Sequence, residues 1–239
     1  MTTDRAFLLL RLEGPLQSWG DRSRFWQRGT LPFPTKSGVL GMIFCACGLG
    51  GPQRERLALC NALPMTVFEL SGKAEKSYLN DMQMIGSAYD KNDPWEKLLI
   101  PKTYEGKSAQ NVSGSKMTYR LFLQDADFAV ILEIPVRFRE EFVSGLKCPK
   151  WDIYLGRKSC VPSCPVYQGI FGTYEEAFQA LTESLEIDDS EKRFVVTKVS
   201  ETSSEDLEGM LLYDVPVEFG EHKKYVGRYV KVMNLSGKR

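Results

Sequence analysis

Histidine is nearly absent from this chain, since His222 is the single one among 239 residues. Zinc sites and metal-free ribonuclease sites both rely heavily on imidazole, so this scarcity argues against either kind of centre. The cysteines include no C-x-x-C pair; they are Cys45, Cys47, Cys60, Cys148, Cys160 and Cys164. We therefore predict reduced, mostly buried thiols and no disulfide framework, metal or other cofactor.

Long apolar runs are also missing. The longest, near Phe7–Leu10 and Val39–Cys47, are broken by Arg11 and Gly48, whereas a membrane span needs roughly 20 apolar residues. The opening residues lack the basic region of a secretory signal. No Walker, dinucleotide-binding or serine-hydrolase motif occurs either. These absences predict a cytoplasmic protein that does not contact a membrane.

A net charge of one sign is lacking as well, because the formal charge is zero. The two signs are nevertheless segregated along the chain. Basic residues outnumber acidic ones by six to two over 5–36, by four to one over 102–120 and by six to one in the last twenty residues. Acidic residues outnumber basic ones by nine to three over 183–208. Basic segments that fold onto one face would form a surface for a phosphate backbone, although ordinary solvated faces have the same composition.

The pattern of apolar residues predicts an α+β fold. Strands are predicted over Ala6–Leu12 (closed by a turn at Gly14-Pro15), Met65–Leu70, Phe128–Ile134, Phe194–Val199 and Tyr225–Met233. Helices are predicted from Lys36 to Gly48, with Thr35 as N-cap, over Phe138–Leu146, and from Thr173, where Thr173 and Glu176 form a capping box before Phe178, Leu181 and Leu185. This order indicates a ferredoxin-like sheet, the layout of RNA-recognition modules.

One segment resists regular assignment. Residues from about Ser77 to Arg120 contain scattered glycines, prolines, aromatics and lysines. Long irregular segments within compact domains are usually functional or disordered, so we interpret this one as an inserted arm. The predicted division is a core of residues 1–76 and 122–239, with a strand-rich C-terminal extension, and an arm of residues 77–121.

Three sequence motifs carry a resemblance to a known protein family. They are LRLEGPLQSWG (10–20), PTKSGVLGMI (34–43) and YLGRKSC (154–160). Their residues and their order along the chain resemble those of the CasD family, the fifth Cas family, of type I-E CRISPR Cascade complexes. The arm is similar too, at Leu79-Asn80-Asp81 and Tyr119-Arg120. The resemblance implies a modified ferredoxin-like domain of the RAMP superfamily with a thumb that crosses the guide RNA and displaces a nucleotide.

The same resemblance implies a function and partners. A member of this family caps the foot of the complex, holds the 5′ handle of the guide RNA (the crRNA) and contacts the large subunit and the first backbone subunit. Target DNA would be met only indirectly, through the complex. No membrane partner is implied.

Residue chemistry suggests where the RNA binds. A helix amino terminus with a lysine can hold a phosphate, aromatics in the loop (Trp19, Phe25, Trp26) can stack on bases, and lysines on the arm can contact the backbone; ordinary capping and core packing are the structural alternatives. A glycine-containing turn with two cations can clamp a phosphate. The candidate RNA-binding residues are Gln17, Ser18, Trp19, Arg22, Arg24, Thr35, Lys36, Ser37, Gly38, Lys102, Lys107, Lys116, Arg120, Tyr154, Gly156, Arg157 and Lys158.

Two other functions remain open. Type I-C relatives cleave precursor guide RNA with tyrosine, lysine and histidine as acid–base partners. Here Lys116 and Tyr119 stand at the matching thumb base without an adjacent histidine, and His222 is distant in sequence, so no catalytic residue is predicted. A scaffold subunit without RNA contact is the second alternative, but it leaves the segregated cations unexplained.

Overall fold

The first strand sets the frame of the sheet. In the computed structural model, which describes residues 4–20, 26–71, 76–85, 116–186 and 193–235, β1 spans Arg5–Gln17. The predicted turn at Gly14-Pro15 is wrong, because the strand continues through both residues. Proline fits there since β8 pairs with β1 only from Phe7 to Leu10, which leaves one edge of β1 free of ladder bonds at Pro15.

The remaining elements follow in chain order. They are β2 Trp19–Gly20, β3 Gln27–Arg28, β4 Thr30–Leu31, α1 Lys36–Cys47, α2 Arg54–Asn61, β5 Met65–Leu70, β6 Ser77–Ile85, β7 Lys116–Pro135, α3 Arg139–Lys147, β8 Tyr167–Phe171, α4 Tyr174–Glu186, β9 Val195–Thr202, β10 Met210–Glu218 and β11 Lys224–Asn234. None of the helices in these ranges is long and apolar enough to cross a bilayer.

The sheet has the predicted ferredoxin-like topology. β1, α1, β5, β7, α3 and β8 form a βαββαβ unit whose strands are antiparallel and ordered β5-β7-β1-β8. β9 joins the free edge of β5, and β11 and β10 follow it, so the sheet order is β10-β11-β9-β5-β7-β1-β8. The predicted α+β fold with a strand-rich C-terminal extension is confirmed.

Both faces of the central sheet are covered. α1 and α3 pack on one face over the larger core, which includes Leu8, Leu10 and Phe128. α4 packs on the other face against Phe68 and Ile131. RNA-recognition modules stack bases on this second face of their sheet. The similar topology therefore does not provide the same binding surface.

The predicted helix ends agree with the local hydrogen bonds. Thr35 accepts a hydrogen bond from the Gly38 N–H, and Gly48 closes α1 with φ of 70°. The α4 capping box forms in both directions, since the Glu176 N–H donates to Thr173 Oγ1 and the Thr173 N–H donates to the Glu176 carboxylate. Phe178 is 37% exposed, although the sequence predicts it in the buried stripe; its ring still packs on Phe68, with centroids 5.4 Å apart.

The base of the inserted arm is a regular β-ribbon, where the sequence predicts irregular chain. β6 pairs with the first half of β7 from Ser77 opposite Gln124 to Ile85 opposite Lys116. Residues 86–115 lie outside the described ranges. The boundaries of the arm stay a prediction.

The cysteines yield a test of the core. Burial raises the pKa of the Cys47 and Cys60 thiols to about 11 from an ordinary 9.0. Between pH 9 and pH 11 these two thiols lose their protons in the unfolded chain but keep them in the folded chain. The free energy of unfolding should therefore fall as pH rises, by up to about 1.4 kcal/mol per pH unit for each thiol. We expect urea unfolding at pH 8 and 10 to show a smaller fall for a Cys47→Ala, Cys60→Ala double variant than for the wild type.

Cys148 serves as the control for this measurement, because its side chain is exposed. A Cys148→Ala variant should keep the wild-type fall. Equal pH dependence of the double variant and the wild type would contradict the assigned role of the two buried thiols.

Candidate nucleic-acid interface

The amino terminus of α1 is occupied by groups of the protein itself. The Lys36 N–H donates to Asp214 Oδ2 on β10 at 2.7 Å, and the Gly38 N–H donates to Thr35 Oγ1. The Lys36 ammonium donates to the carbonyls of Leu63 at 2.7 Å and Asn61 at 3.2 Å and to Glu201 at 2.9 Å. Lys36 is 1% exposed, so its ammonium is directed at protein acceptors and not at solvent.

Burial also affects the proton equilibrium of this lysine. Desolvation lowers the pKa of Lys36, and the charge of Glu201 opposes that decrease. The ammonium is held by three acceptors within the fold and has no free surface for a phosphate. Lys36 is therefore not part of the phosphate site proposed below, and neither is the buried Thr35. The Ser37 hydroxyl, half-buried, donates to Thr35 Oγ1 at 3.4 Å.

The Gln17-Ser18-Trp19 motif forms an interlock in the core. Gln17 donates to the carbonyls of Leu12 at 2.8 Å and Ala126 at 2.6 Å and accepts from Trp19 Nε1 at 3.1 Å. The Trp19 ring lies against Gly38, where a Cβ atom would be 2.9 Å from it. Gln17 and Trp19 have no exposed surface, and Ser18 has 3%. Their side chains have no surface on which a base could stack.

The third motif, Tyr154–Cys160, is a surface turn anchored on this interlock. Leu155 and Cys160 are fully buried, and the Leu155 carbonyl accepts the Ser18 N–H at 3.1 Å. Gly156 has φ of 91°, and a Cβ atom on it would lie 1.8 Å from the Ser18 carbonyl oxygen. Only glycine allows this approach, and of the next two residues Arg157 is half-buried and Lys158 is exposed. The Tyr154 hydroxyl, half-buried, donates to Asp152 at 3.2 Å.

Arg157 belongs to a group of three arginines. Its Nη2 donates to the carbonyls of Arg28 at 3.2 Å and Gly29 at 3.3 Å, and its guanidinium lies 4.8 Å from the centre of the Phe122 ring. Arg28 on β3 pairs in parallel register with Arg120 on β7. We call Arg28, Arg120 and Arg157 the arginine cluster. Arg120 and Arg157 are among the RNA-binding candidates predicted from the sequence, but Arg28 is not. Arg28 lies on β3, which has only two residues and therefore no recognisable strand pattern in the sequence.

No carboxylate neutralises the arginine cluster within the described residues. Burial lowers the pKa of Arg157, and the charges of Arg120 and Arg28 lower it further, although Cys160 opposes them. The buried Nη1 atom of Arg157 has no hydrogen-bond partner. Asp81 stands opposite Arg120 in the β6–β7 register, but its carboxylate accepts from Gln83 and lies beyond ion-pair distance of Arg120.

Three other half-buried arginines in the described ranges show what is unusual here. Arg11 and Arg193 both donate to Asp127, and Arg228 donates to Asp214 and Glu201. Each of these guanidinium groups therefore has a carboxylate partner. Arg157 instead has two carbonyls and an aromatic ring, which hold its position without cancelling its charge.

Trp26, at the start of the segment that carries Arg28, packs on Tyr119 of β7. Trp26 is 57% exposed and meets Tyr119 edge to face with ring centroids 6.3 Å apart. The Trp26 carbonyl also accepts the Tyr119 N–H at 2.7 Å. Because side chains alternate along a strand, Tyr119 and Arg120 project from opposite faces of β7. Of the two predicted loop aromatics within the described residues, Trp19 is buried and Trp26 is exposed.

The other predicted residues are placed only in part. Arg22, Arg24, Phe25, Lys102 and Lys107 lie outside the described residues, and of Lys116 only the backbone is described, at the start of β7. Of the three elements predicted to bind phosphates (the α1 amino terminus, the Tyr154–Cys160 turn and the arm), the turn and the base of the arm are in contact, through Arg157 and Phe122. The amino terminus of α1 is behind them, covered by Trp19. No group of three or more metal-ligating residues occurs in the described part of the chain.

Comparisons with known proteins agree on one family. The family model Cas_Cas5d, described as CRISPR-associated protein (Cas_Cas5), matches residues 7–231. The Escherichia coli (strain K12) protein "CRISPR system Cascade subunit CasD" is 31% identical over 169 residues, which cover 69% of this chain and 71% of the relative.

Solved structures give the same result at the level of the fold. A chain of a "CRISPR RNA-guided surveillance complex" superposes with a TM-score of 0.70 and 26% identity, covering 95% of this chain and 89% of that one. A "Crystal structure of Cas protein" superposes with a TM-score of 0.59 and 30% identity, covering 96% and 94%.

Gly156 allows a test of how the turn is anchored. Gly156→Ala adds both left-handed strain and a collision with Ser18, whereas Gly51→Ala, at φ of 80° with open space around the added Cβ atom, adds the strain alone. We expect about 1–2 kcal/mol of destabilisation for Gly51→Ala and clearly more for Gly156→Ala in urea unfolding. Equal losses would mean that the turn moves freely away from Ser18.

Proposed function

Because the chain belongs to the Cas5 family of CRISPR-associated proteins, we propose that it is a non-catalytic, guide-RNA-binding subunit of a Cascade-type surveillance complex. In this role it holds the 5′ handle of the guide RNA and contacts the large subunit and a backbone subunit. Target DNA meets the complex and not this subunit directly. The name of the E. coli relative and the superposition on a surveillance-complex chain support membership in such an assembly.

The observation that carries RNA binding is the arginine cluster. Three guanidinium groups from β3, β7 and the 154–160 turn gather without a carboxylate partner among the described residues. Arg28 is exposed and the other two are half-buried, and the charges of Arg28 and Arg120 act against that of Arg157, so a group of this kind is suited to an external anion. The planar guanidinium fork matches the oxygens of a phosphate.

A single strand of RNA suits the surroundings of the cluster better than a duplex. Lys158 is exposed next to Arg157 on the same turn, and the exposed Trp26 immediately precedes β3, the strand that carries Arg28. Proteins bind single strands by combining backbone cations with aromatic stacking, and each stacked base contributes about 1–3 kcal/mol. In this proposal the arginine cluster holds the phosphates and Trp26 stacks on a base.

The positions of the acid–base candidates support a non-catalytic role. Tyr119 is on β7, where it contacts Trp26, whereas His222 is an exposed residue between β10 and β11. β5, β9 and β11 separate β7 from β10 in the sheet. An imidazole so placed cannot exchange a proton with a substrate held at Tyr119, because general acid–base catalysis needs hydrogen-bond distances.

Charge removal at the cluster tests the proposed site. Arg28→Gln, Arg120→Gln and Arg157→Gln should each weaken binding of a labelled 5′-handle RNA, transcribed from the host repeat, and each should lower the slope of log K against log salt by about 0.7. The measurement is a binding titration of the full chain at several salt concentrations. Arg139→Gln is the control, since Arg139 is exposed, as Arg28 is, but lies on α3.

An unchanged affinity and slope in all three variants would contradict RNA binding at the cluster. A scaffold subunit without RNA contact would show neither salt-dependent binding nor any difference between Arg139→Gln and the cluster variants.

Incubation with unprocessed repeat RNA tests the absence of catalysis. The full chain should leave this RNA intact over hours at neutral pH, because no imidazole is within reach of Tyr119. Cleavage at one defined position that is lost in Tyr119→Phe would instead establish a processing nuclease.

A further inference from the structure

We infer that Asp214 and Arg228, in the C-terminal extension, are positioning residues for the arginine cluster. This inference rests on the proposed function, because it concerns the accuracy with which the RNA site is held. Neither residue is near the surface of that site, and they act through α1 and Trp19.

The first step is the attachment of the extension to α1. Arg228 on β11 donates from Nε to Asp214 Oδ1 at 2.7 Å and from Nη2 to Oδ2 at 2.8 Å. Asp214 Oδ2 also accepts the Lys36 N–H, the first free donor of α1. A carboxylate is the ion that a helix amino terminus favours, and Arg228 fixes the plane of that carboxylate. The first turn of α1 is thus held from outside the βαββαβ unit.

The second step links this turn to the chain near the cluster. The Trp19 ring is in contact with Gly38, so a shift of the first turn of α1 must move the indole. The Trp19 N–H donates to Thr30 Oγ1 at 2.8 Å, and β2 pairs with β4 at Trp19 and Leu31. Thr30 follows Arg28 and Gly29, the residues whose carbonyls hold Arg157.

The third step is the anchoring of the arginine turn. Ser18, next to Trp19, donates its N–H to Leu155 and has its carbonyl directly beneath Gly156. Arg28 and Arg157 therefore both depend on the position of residues 18 and 19. Close-packed contacts of this kind transmit a displacement because they leave no space to absorb it.

A second aspartate provides a matched control. Asp127 is 3% exposed and Asp214 is 4% exposed. Asp127 receives a two-point hydrogen bond from Arg11, at 3.2 and 2.7 Å, and a third bond from Arg193 at 3.1 Å. It has no contact with α1, because it lies on the face of the sheet that α4 covers. Asp127→Asn should reduce stability as much as Asp214→Asn does without disturbing the arginine cluster.

The experiment compares RNA binding by Asp214→Asn, Arg228→Lys and Asp127→Asn in the full chain, at temperatures where each is fully folded. We expect the two extension variants to bind the 5′-handle RNA about 5- to 20-fold more weakly. The slope of log K against log salt should stay at the wild-type value, because no phosphate contact is removed. Asp127→Asn should bind like the wild type. Arg228→Lys keeps the charge and remains informative if Asp214→Asn does not fold.

Three outcomes would overturn the positioning role. The first is wild-type affinity in both extension variants. The second is a lowered salt slope, which indicates direct phosphate contact, and the third is an equal loss of affinity in Asp127→Asn, which indicates general destabilisation. Failure of the proposed function is distinguishable from these. In that case the arginine variants themselves bind like the wild type with an unchanged slope, and both proposals fall together.

Discussion

The buried ammonium of Lys36 is the constraint on which the assembly of this fold depends. An unpaired charge at a site with 1% exposure would cost several kcal/mol, so the chain must bring acceptors to it. Those acceptors are the carbonyls of Asn61, the last residue of α2, and of Leu63, together with Glu201 on β9, which also accepts from Arg228. The C-terminal strands therefore complete the charge balance of the first helix and form one structural unit with the βαββαβ sheet.

This constraint explains why the PTKSGVLGMI motif (34–43), considered alone, wrongly indicates a phosphate site at the start of α1. A capping threonine, a lysine and a glycine at a helix start are what a phosphate site requires, and they are equally what a buried helix start requires. The difference is the source of the anion. Asp214 supplies it from 178 positions away along the chain, and no local pattern around Lys36 can indicate that.

Features governed by local physics are the ones that the sequence predicts well. The caps at Thr35, Gly48 and Thr173 depend on neighbouring residues alone, and they form as predicted. α2 has no side-chain cap and begins after Gln53 in a left-handed conformation, while β10 contains Pro216, so neither gives a recognisable signal. The arginine cluster needs three distant segments to meet, and its membership follows only from the register of β3 against β7.

The arginine cluster carries a cost that Arg11, Arg193 and Arg228 avoid. Each of these three is paired with aspartate, so these half-buried guanidinium groups are neutralised within the fold. At Arg157 the chain uses carbonyls and the Phe122 ring, which fix the orientation and leave the charge available. Departures from local consistency are expected where a protein holds a site ready for a ligand. An anion at this position would supply the missing partner, and part of its binding free energy would come from relieving the repulsion among the three arginines.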